Sequence, residues 1–227
     1  MVNKKQFKGK CFYCEGEIIK NEAAKHLAGC VRRQEAISKA GNQKGQSETL
    51  YHLRIQAIGL EEFWLDLEMR SSAILKNLDD YLKAIWLECC GHLSQFLTAG
   101  RRGDKISFGR RAGEVFGEGV ALTHIYDFGT SSETMVTVIE ARQGKPTTSR
   151  PIFLMARNVM PECKCIECER PAGWLCLDCL NEQEVWGSLC DEHAKTHPHN
   201  NYGEPVKLVN SPRLGLCGYD GPAESPY

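Results

Sequence analysis

Eight cysteine and histidine residues crowd positions 165–199 in four close pairs: Cys165-x2-Cys168, Cys176-x2-Cys179, Cys190-x2-His193 and His197-x1-His199. Donors two or three residues apart on a tight turn can both reach one ion, and eight donors are what two closed tetrahedral sites require. A segment this short cannot bury enough apolar surface to fold unaided. The pattern therefore constrains the chain to fold around metal. Pair order leaves two connectivities open. A cross-brace joins Cys165 and Cys168 to Cys190 and His193, and Cys176 and Cys179 to His197 and His199; a sequential arrangement joins the first pair to the second. Cys163 competes for the place of Cys165. With every donor used, no coordination position is left for a water, so the cluster reads as structural rather than catalytic. Trp174 and Trp186 are expected to pack around the ions.

A second pattern lies at the other end, Cys11-x2-Cys14-x11-His26-x3-Cys30. His26 and Cys30, four apart, share one face of a helix, and with the Cys pair they complete a single site. Phe12, Tyr13 and Leu27 supply a small apolar core. Lys4, Lys5, Lys8, Lys10, Lys25, Arg32 and Arg33 flank it, and read equally as phosphate contacts or as a solvated face. Three Zn²⁺ ions and no organic cofactor are expected.

Twelve cysteines in 227 residues fall below the density of a disulfide scaffold. The first twenty residues are polar and Lys-rich, without the apolar segment of a secretory signal. A reducing, cytoplasmic setting is therefore expected, where clustered Cys and His mean metal before disulfide. No run approaches the ~18 apolar residues of a membrane span. The formal net charge of −1 hides an asymmetry: residues 1–46 carry +6 and residues 163–227 carry −5. Such a division points to partners rather than to fold.

Five segments follow: a finger at 1–39, a Gly-containing polar linker at 40–49, a central domain at 50–160, the binuclear module at 161–203, and a tail at 204–227 packing back on the core. In the central domain Tyr51, Leu53, Ile55 and Ala57 alternate, as do Phe63, Leu65, Leu67 and Met69, which predicts half-buried strands. Ile74, Leu75, Leu78, Leu82, Ile85, Trp86 and Cys89 form a helical stripe, with Ser71 or Ser72 as cap and Gly91 as stop. Further strands are expected at 92–98, 122–128, 133–141 and 151–157. The sum is an α+β fold, one main helix on a mostly antiparallel sheet.

An enzyme lacks a complete constellation. His124 beside Asp127 offers an acid/base pair, but reads more simply as an edge histidine and a turn aspartate. Cys217 is a candidate nucleophile, or else a packed tail thiol or spare ligand; Cys89 and Cys90 read as core thiols. The stretch 100–119, with six glycines, lacks the P-loop ending. It reads as a mobile basic loop around a short strand, whose Arg101, Arg102, Lys105, Arg110 and Arg111 can touch a phosphate backbone.

Several segments resemble the plasmid pRiA4b open-reading-frame-three-like family: Tyr51-His52-Leu53-Arg54-Ile55, Phe63-Trp64 through Met69, Leu78 to Trp86, Tyr126-Asp127-Phe128-Gly129, and Val209-Asn210-Ser211-Pro212-Arg213 with Cys217-Gly218-Tyr219. The resemblance implies an α+β fold, occurrence on mobile elements, and no established activity. The segment after Gly129 departs from the family's acidic, Trp and His residues, reading Thr130-Ser131-Ser132-Glu133-Thr134. The C-terminal module is similar to B-box fingers, which implies the cross-brace. The head resembles small ubiquitin-binding fingers of DNA-repair proteins in its spacing and its His26-Leu27-Ala28-Gly29-Cys30 ending; Ala28 replaces their acidic residue, so only the zinc scaffold carries over. The expected function is non-catalytic: an adaptor docking a protein partner through its zinc modules. The rival is a nucleic-acid-binding protein using Lys8, Lys10, Lys25, Arg32, Arg33, Arg101, Arg102, Arg110 and Arg111. No membrane association is expected.

Overall fold

The computed structural model describes residues 7–98 and 100–227. Lys4, Lys5 and the start of the N-terminal segment lie outside them.

The alternating apolar residues form strands as their period requires. In chain order the strands are β1 (Lys8–Cys11), β2 (Glu17–Ile19), β3 (Glu48–Ala57), β4 (Trp64–Arg70), β5 (Ser94–Leu97), β6 (Lys105–Ile106), β7 (Ala121–Tyr126), β8 (Ser132–Gly144) and β9 (Ile152–Asn158). They make one antiparallel sheet in the order β2-β1-β9-β4-β3-β8-β7-β5-β6. Helices α1 (Ala23–Gly29) and α2 (Val31–Gly41) precede β3, α3 (Leu75–Leu82) follows β4, and a short α4 (Ala112–Val115) precedes β7. The protein is α+β with a sheet-dominated core.

One sheet face carries Leu53, Ile55, Leu65, Leu67 and Met69 against Leu75, Leu78, Leu82, Ile85 and Trp86, all fully or almost fully buried. The helical stripe divides: α3 ends at Leu82 and Lys83–Leu87 continue as one wider, π-type turn. Its cap is neither Ser71 nor Ser72, because the helix starts later, at Leu75, with Ile74 at the cap position; Glu48 accepts from Ser71 Oγ (3.1 Å) and the Ser72 amide (2.9 Å). Asn77 instead reaches back to accept from the Ile74 amide (3.1 Å).

The opposite face of β4 presents Trp64, Asp66 and Glu68, also buried. Buried carboxylates need partners. Asp66 accepts two bonds from Arg54 (2.6 and 3.0 Å), with His52 Nε2 at 3.0 Å from its Oδ1. Burial alone would raise the Asp66 carboxyl; its partners His52 and Arg54 hold it below the usual range. Glu68 accepts two bonds from Arg142, both 2.9 Å, and Arg33 of α2 lies 3.9 Å away.

The head is stitched into the sheet. β1 pairs with β9, setting Gly9 against Asn158 and Cys11 against Ala156. At Gly9 a Cβ would fall 2.3 Å from the Trp64 ring and 2.5 Å from the Arg157 carbonyl, so only glycine fits. Cys11, Ala23, Leu27 and Cys30 pack with Trp64, Met155 and Ala156 in a second apolar cluster. The connecting stretch is shorter than its polar composition suggests, because α2 continues to Gly41 and β3 begins at Glu48.

In the C-terminal part, β10 (Trp174–Leu175), β11 (Ser188–Leu189) and β12 (Val206–Lys207) form a small sheet in the order β11-β10-β12, with α5 (Leu177–Glu182) and α6 (His193–Thr196) beside it. The tail returns to the core. Ser211 Oγ donates to the Trp86 carbonyl (2.5 Å), Arg157 donates to the Asn210 carbonyl (2.7 Å), and Tyr81 bonds Ser225 (2.9 Å). Among the described residues, no helix is long and apolar enough to cross a membrane.

Candidate metal centres

All twelve cysteines are free thiols. Eleven of them, with five histidines, gather among the described residues in four groups of four donors, the donor atoms of each group lying within 4.8 Å of one another. Three groups are those outlined by sequence spacing: Cys11, Cys14, His26, Cys30; Cys165, Cys168, Cys190, His193; and Cys176, Cys179, His197, His199. The last two pair as a cross-brace, not sequentially.

Two of the Cys-x2-Cys turns are built alike. Cys11 N donates to the Gly16 carbonyl (3.0 Å) and Glu15 N to the Cys11 carbonyl (2.9 Å); likewise Cys165 N donates to Arg170 O (2.7 Å) and Glu169 N to Cys165 O (3.0 Å). Glu15 and Glu169 follow the second cysteine of each pair and both sit at φ 60°. That left-handed step reverses the chain and turns two sulfurs inward. The third turn starts α5: the Cys179 amide donates to Cys176 Sγ at 3.5 Å. His26 comes from α1, and Cys30 follows directly as the residue between α1 and α2.

A tetrahedral ion with ~2.3 Å bonds to sulfur and ~2.0–2.1 Å bonds to nitrogen places sulfurs about 3.8 Å apart, sulfur and nitrogen about 3.5 Å apart, and two nitrogens about 3.3 Å apart. The separations follow that rule. Cys14 Sγ lies 3.4 Å from His26 Nε2, and Cys168 Sγ 3.8 Å from Cys190 Sγ. Cys165 Sγ lies 3.3 Å from His193 Nδ1, Cys179 Sγ 3.3 Å from His197 Nε2, and His197 Nε2 3.2 Å from His199 Nδ1. The donor sets thus fit one ion each. Glu167 serves as an outer support, with its Oε1 2.7 Å from His197 Nδ1 and its Oε2 3.8 Å from His193 Nε2. Such a carboxylate orients the imidazole and raises its basicity as a ligand.

Burial pushes the Cys11 and Cys179 thiols up to about 11, because an isolated thiolate there lacks a counter-charge. The Gly16 amide holds the Cys14 thiol below its ordinary value, and the Arg170 guanidinium does the same for Cys168, with Nε 3.2 Å from the sulfur.

Other expectations are corrected. Cys163 stays outside every group, its Sγ facing the Pro161 carbonyl at 3.5 Å. Trp174 packs on the first C-terminal group and donates to Asp191 (2.8 Å), but Trp186 remains 40% exposed. His124 is fully buried and binds Asp79 through Nε2 at 2.9 Å, not Asp127; Asp127 instead binds Arg213 at 2.7 Å. The two therefore do not form an acid/base pair. Arg33 is buried and donates to the Leu27 carbonyl (3.1 Å), so it is not a phosphate contact. Lys8 pairs with Glu17, Lys10 with Glu15, Arg32 with Glu35, Arg101 with Glu133 and Arg110 with Glu114, whereas Lys25, Arg102 and Arg111 are exposed. The basic loop does surround a short strand, β6, and it also holds the helix α4, which the sequence reading did not include.

The fourth group, Cys89, Cys90, His92 and Cys217, was not outlined by the spacing. Cys90 is exposed and not a core thiol, whereas Cys89 is half-buried and packs against the core; Cys217 is exposed rather than a packed tail thiol and stands in this donor group, as its spare-ligand alternative has it. The readable signal was Cys-Cys-Gly-His at a helix end; its partner lies more than 120 residues further along.

No family model matches the chain, and no curated protein matches it. Among solved structures it is similar to the protein of unknown function MM3350 from Methanosarcina mazei Go1, at 18% identity and a TM-score of 0.39. The match covers 46% of this chain and 66% of that one, just under two thirds of its length. A likeness at this level carries no functional argument, and the resemblance to the pRiA4b family rests on the sequence motifs alone.

Proposed function

We propose that this chain is a non-catalytic, zinc-stabilised binding protein that offers its metal-shaped modules to a protein partner. The observation that carries the reading is that each of the three spacing-defined groups supplies four protein donors at tetrahedral separations. Cys₃His and Cys₂His₂ sets of soft sulfur and imidazole select zinc over hard oxygen-seeking cations. Four protein ligands leave no place for a reacting water. The ordered motifs of the central domain support placing it with the pRiA4b-like proteins.

Two features favour protein over nucleic acid as partner. The segment 163–227 carries −5, and Ile166, Val185 and Trp186 of the binuclear module are 40% exposed or more. The carboxylate partners of Lys8, Lys10, Arg32, Arg101 and Arg110 weaken the phosphate-binding alternative.

Metal analysis of the purified chain tests the first part: zinc-free material that stays folded in chelator refutes it. Pull-down with wild type and a Trp186→Asp variant tests the second. A protein captured by both, or by neither, refutes docking through this module. A gel shift that weakens steeply with salt would instead favour nucleic acid.

A further inference from the structure

We propose a fourth zinc site, formed by Cys89, Cys90, His92 and Cys217, that clasps the C-terminal tail to the end of the central helix. It is independent of the docking role proposed above and concerns residues outside the three centres of that reading.

The four donor atoms lie within 4.8 Å of one another, close enough to converge on a single ion. Cys90 Sγ lies 3.6 Å from Cys89 Sγ, 3.5 Å from Cys217 Sγ and 2.9 Å from His92 Nε2, and His92 Nε2 lies 3.3 Å from Cys217 Sγ. The four donors come from two distant segments, each bent to deliver them. Gly91, at φ 75°, reverses the chain between Cys90 and His92, and Cys217 itself is left-handed at φ 50°. A cysteine held in that conformation is uncommon.

The surroundings form a second, independent argument. The Tyr126 hydroxyl accepts from the amides of both Cys89 (3.4 Å) and His92 (3.3 Å) and donates to Glu88 (3.0 Å), so one oxygen holds the ligand loop in shape. Arg213 is completely buried in the tail, four residues before Cys217. It lies over the Tyr126 ring at 4.8 Å and donates to Asp127 Oδ2 (2.7 Å), Cys89 Sγ (3.4 Å), Thr130 O and Ser132 Oγ (both 2.9 Å). Asp127 Oδ2 also stands 3.5 Å from His92 Nε2. Three thiolates and a neutral imidazole around Zn²⁺ leave one net negative charge. The buried guanidinium, ion-paired with Asp127, also donates to one of those sulfurs and so supports it as a thiolate ligand. The Tyr126-Asp127 pair of the YDFG motif and the Ser211–Arg213 part of the tail thus acquire a role: they support this site.

The chain then binds four ions through eleven of its twelve cysteines, and Cys163 alone remains outside. The experiment is native mass spectrometry of the zinc-loaded chain, with iodoacetamide labelling of the same folded material and peptide mapping. The expected result is four zinc ions per chain, labelling at Cys163, and protection of Cys90 and Cys217 despite their exposure. Cys217→Ser should carry one ion fewer and expose Cys90 to label. Three ions with Cys90 and Cys217 labelled, or joined in a disulfide, would overturn this site and leave the other three standing. A chain with no zinc would overturn all four.

Discussion

Gly187 sits where the second ion of the binuclear module is gripped. A Cβ at that position would lie 2.4 Å from Cys179 Cβ, 3.1 Å from Cys179 Sγ and 3.3 Å from Cys176 Cβ. Carbon atoms in contact keep about 3.5–4.0 Å. Gly187→Ala therefore displaces the Cys176–Cys179 turn by about 1 Å, while a zinc site tolerates only about 0.2 Å in its bonds. Relief by local shifts costs about 1–3 kcal/mol, which is about a 5- to 150-fold weakening at one site. Structural zinc binds with apparent energies of about 10–16 kcal/mol. The variant accordingly keeps its ion in plain buffer and yields it early to a competitor. Titration with a chromophoric chelator should show one ion per chain released at lower chelator concentration by that factor, with the remaining release curve superimposed on wild type. Gly29→Ala is the control, since no heavy atom lies within 4 Å of its Cβ position. Superimposed curves for Gly187→Ala and wild type would refute the packing argument.

Glu68→Gln leaves buried Arg33 and partly buried Arg142 without their shared carboxylate. A loss of about 3–5 kcal/mol is expected for breaking such a pair, read as a lower urea midpoint; an unchanged midpoint would refute it. His124 is held below its ordinary value of 6.5 by burial. The unfolded chain therefore takes up the proton first as pH falls through 6.5, and stability drops by up to about 1.4 kcal/mol per unit. His124→Gln should flatten the stability difference between pH 7.5 and 5.5; parallel pH profiles would count against the burial argument. For Asp79, burial favours a raised value, but His124 and Ser94 hold the carboxyl well below 3.8. Its stabilisation is full above that value and is lost as pH falls further. Chelation at neutral pH should open residues 163–207 to protease before the 48–158 core, because Cys165, Cys176, Cys179 and Cys190 provide most of that module's buried cluster. Simultaneous cleavage of both regions would contradict this order.

Much of the architecture was legible in residue order because the determining interactions are local. A period of two marks β3 and β4, and Cys-x2-Cys turns bring two sulfurs together whatever surrounds them. The three spacing-defined donor groups depend on such turns. The left-handed Glu15 and Glu169 that complete two of them carry no glycine to announce the conformation. The head's union with the sheet was hidden for another reason. β1 is four residues long, and its pairing with β9 depends on a glycine facing Trp64.

What the sequence determined by itself is which donors stand as neighbours and which faces are apolar, since both follow from spacing along a few turns of backbone. Tertiary structure alone decided that Arg33 is sealed against Glu68, that His124 meets Asp79, and that Cys217 comes to rest on Cys90 and His92. Those partners are separated by 35 to 127 residues. Closing such distances takes the packing free energy of the whole sheet and tail against the entropy of the intervening chain, and no local pattern records it.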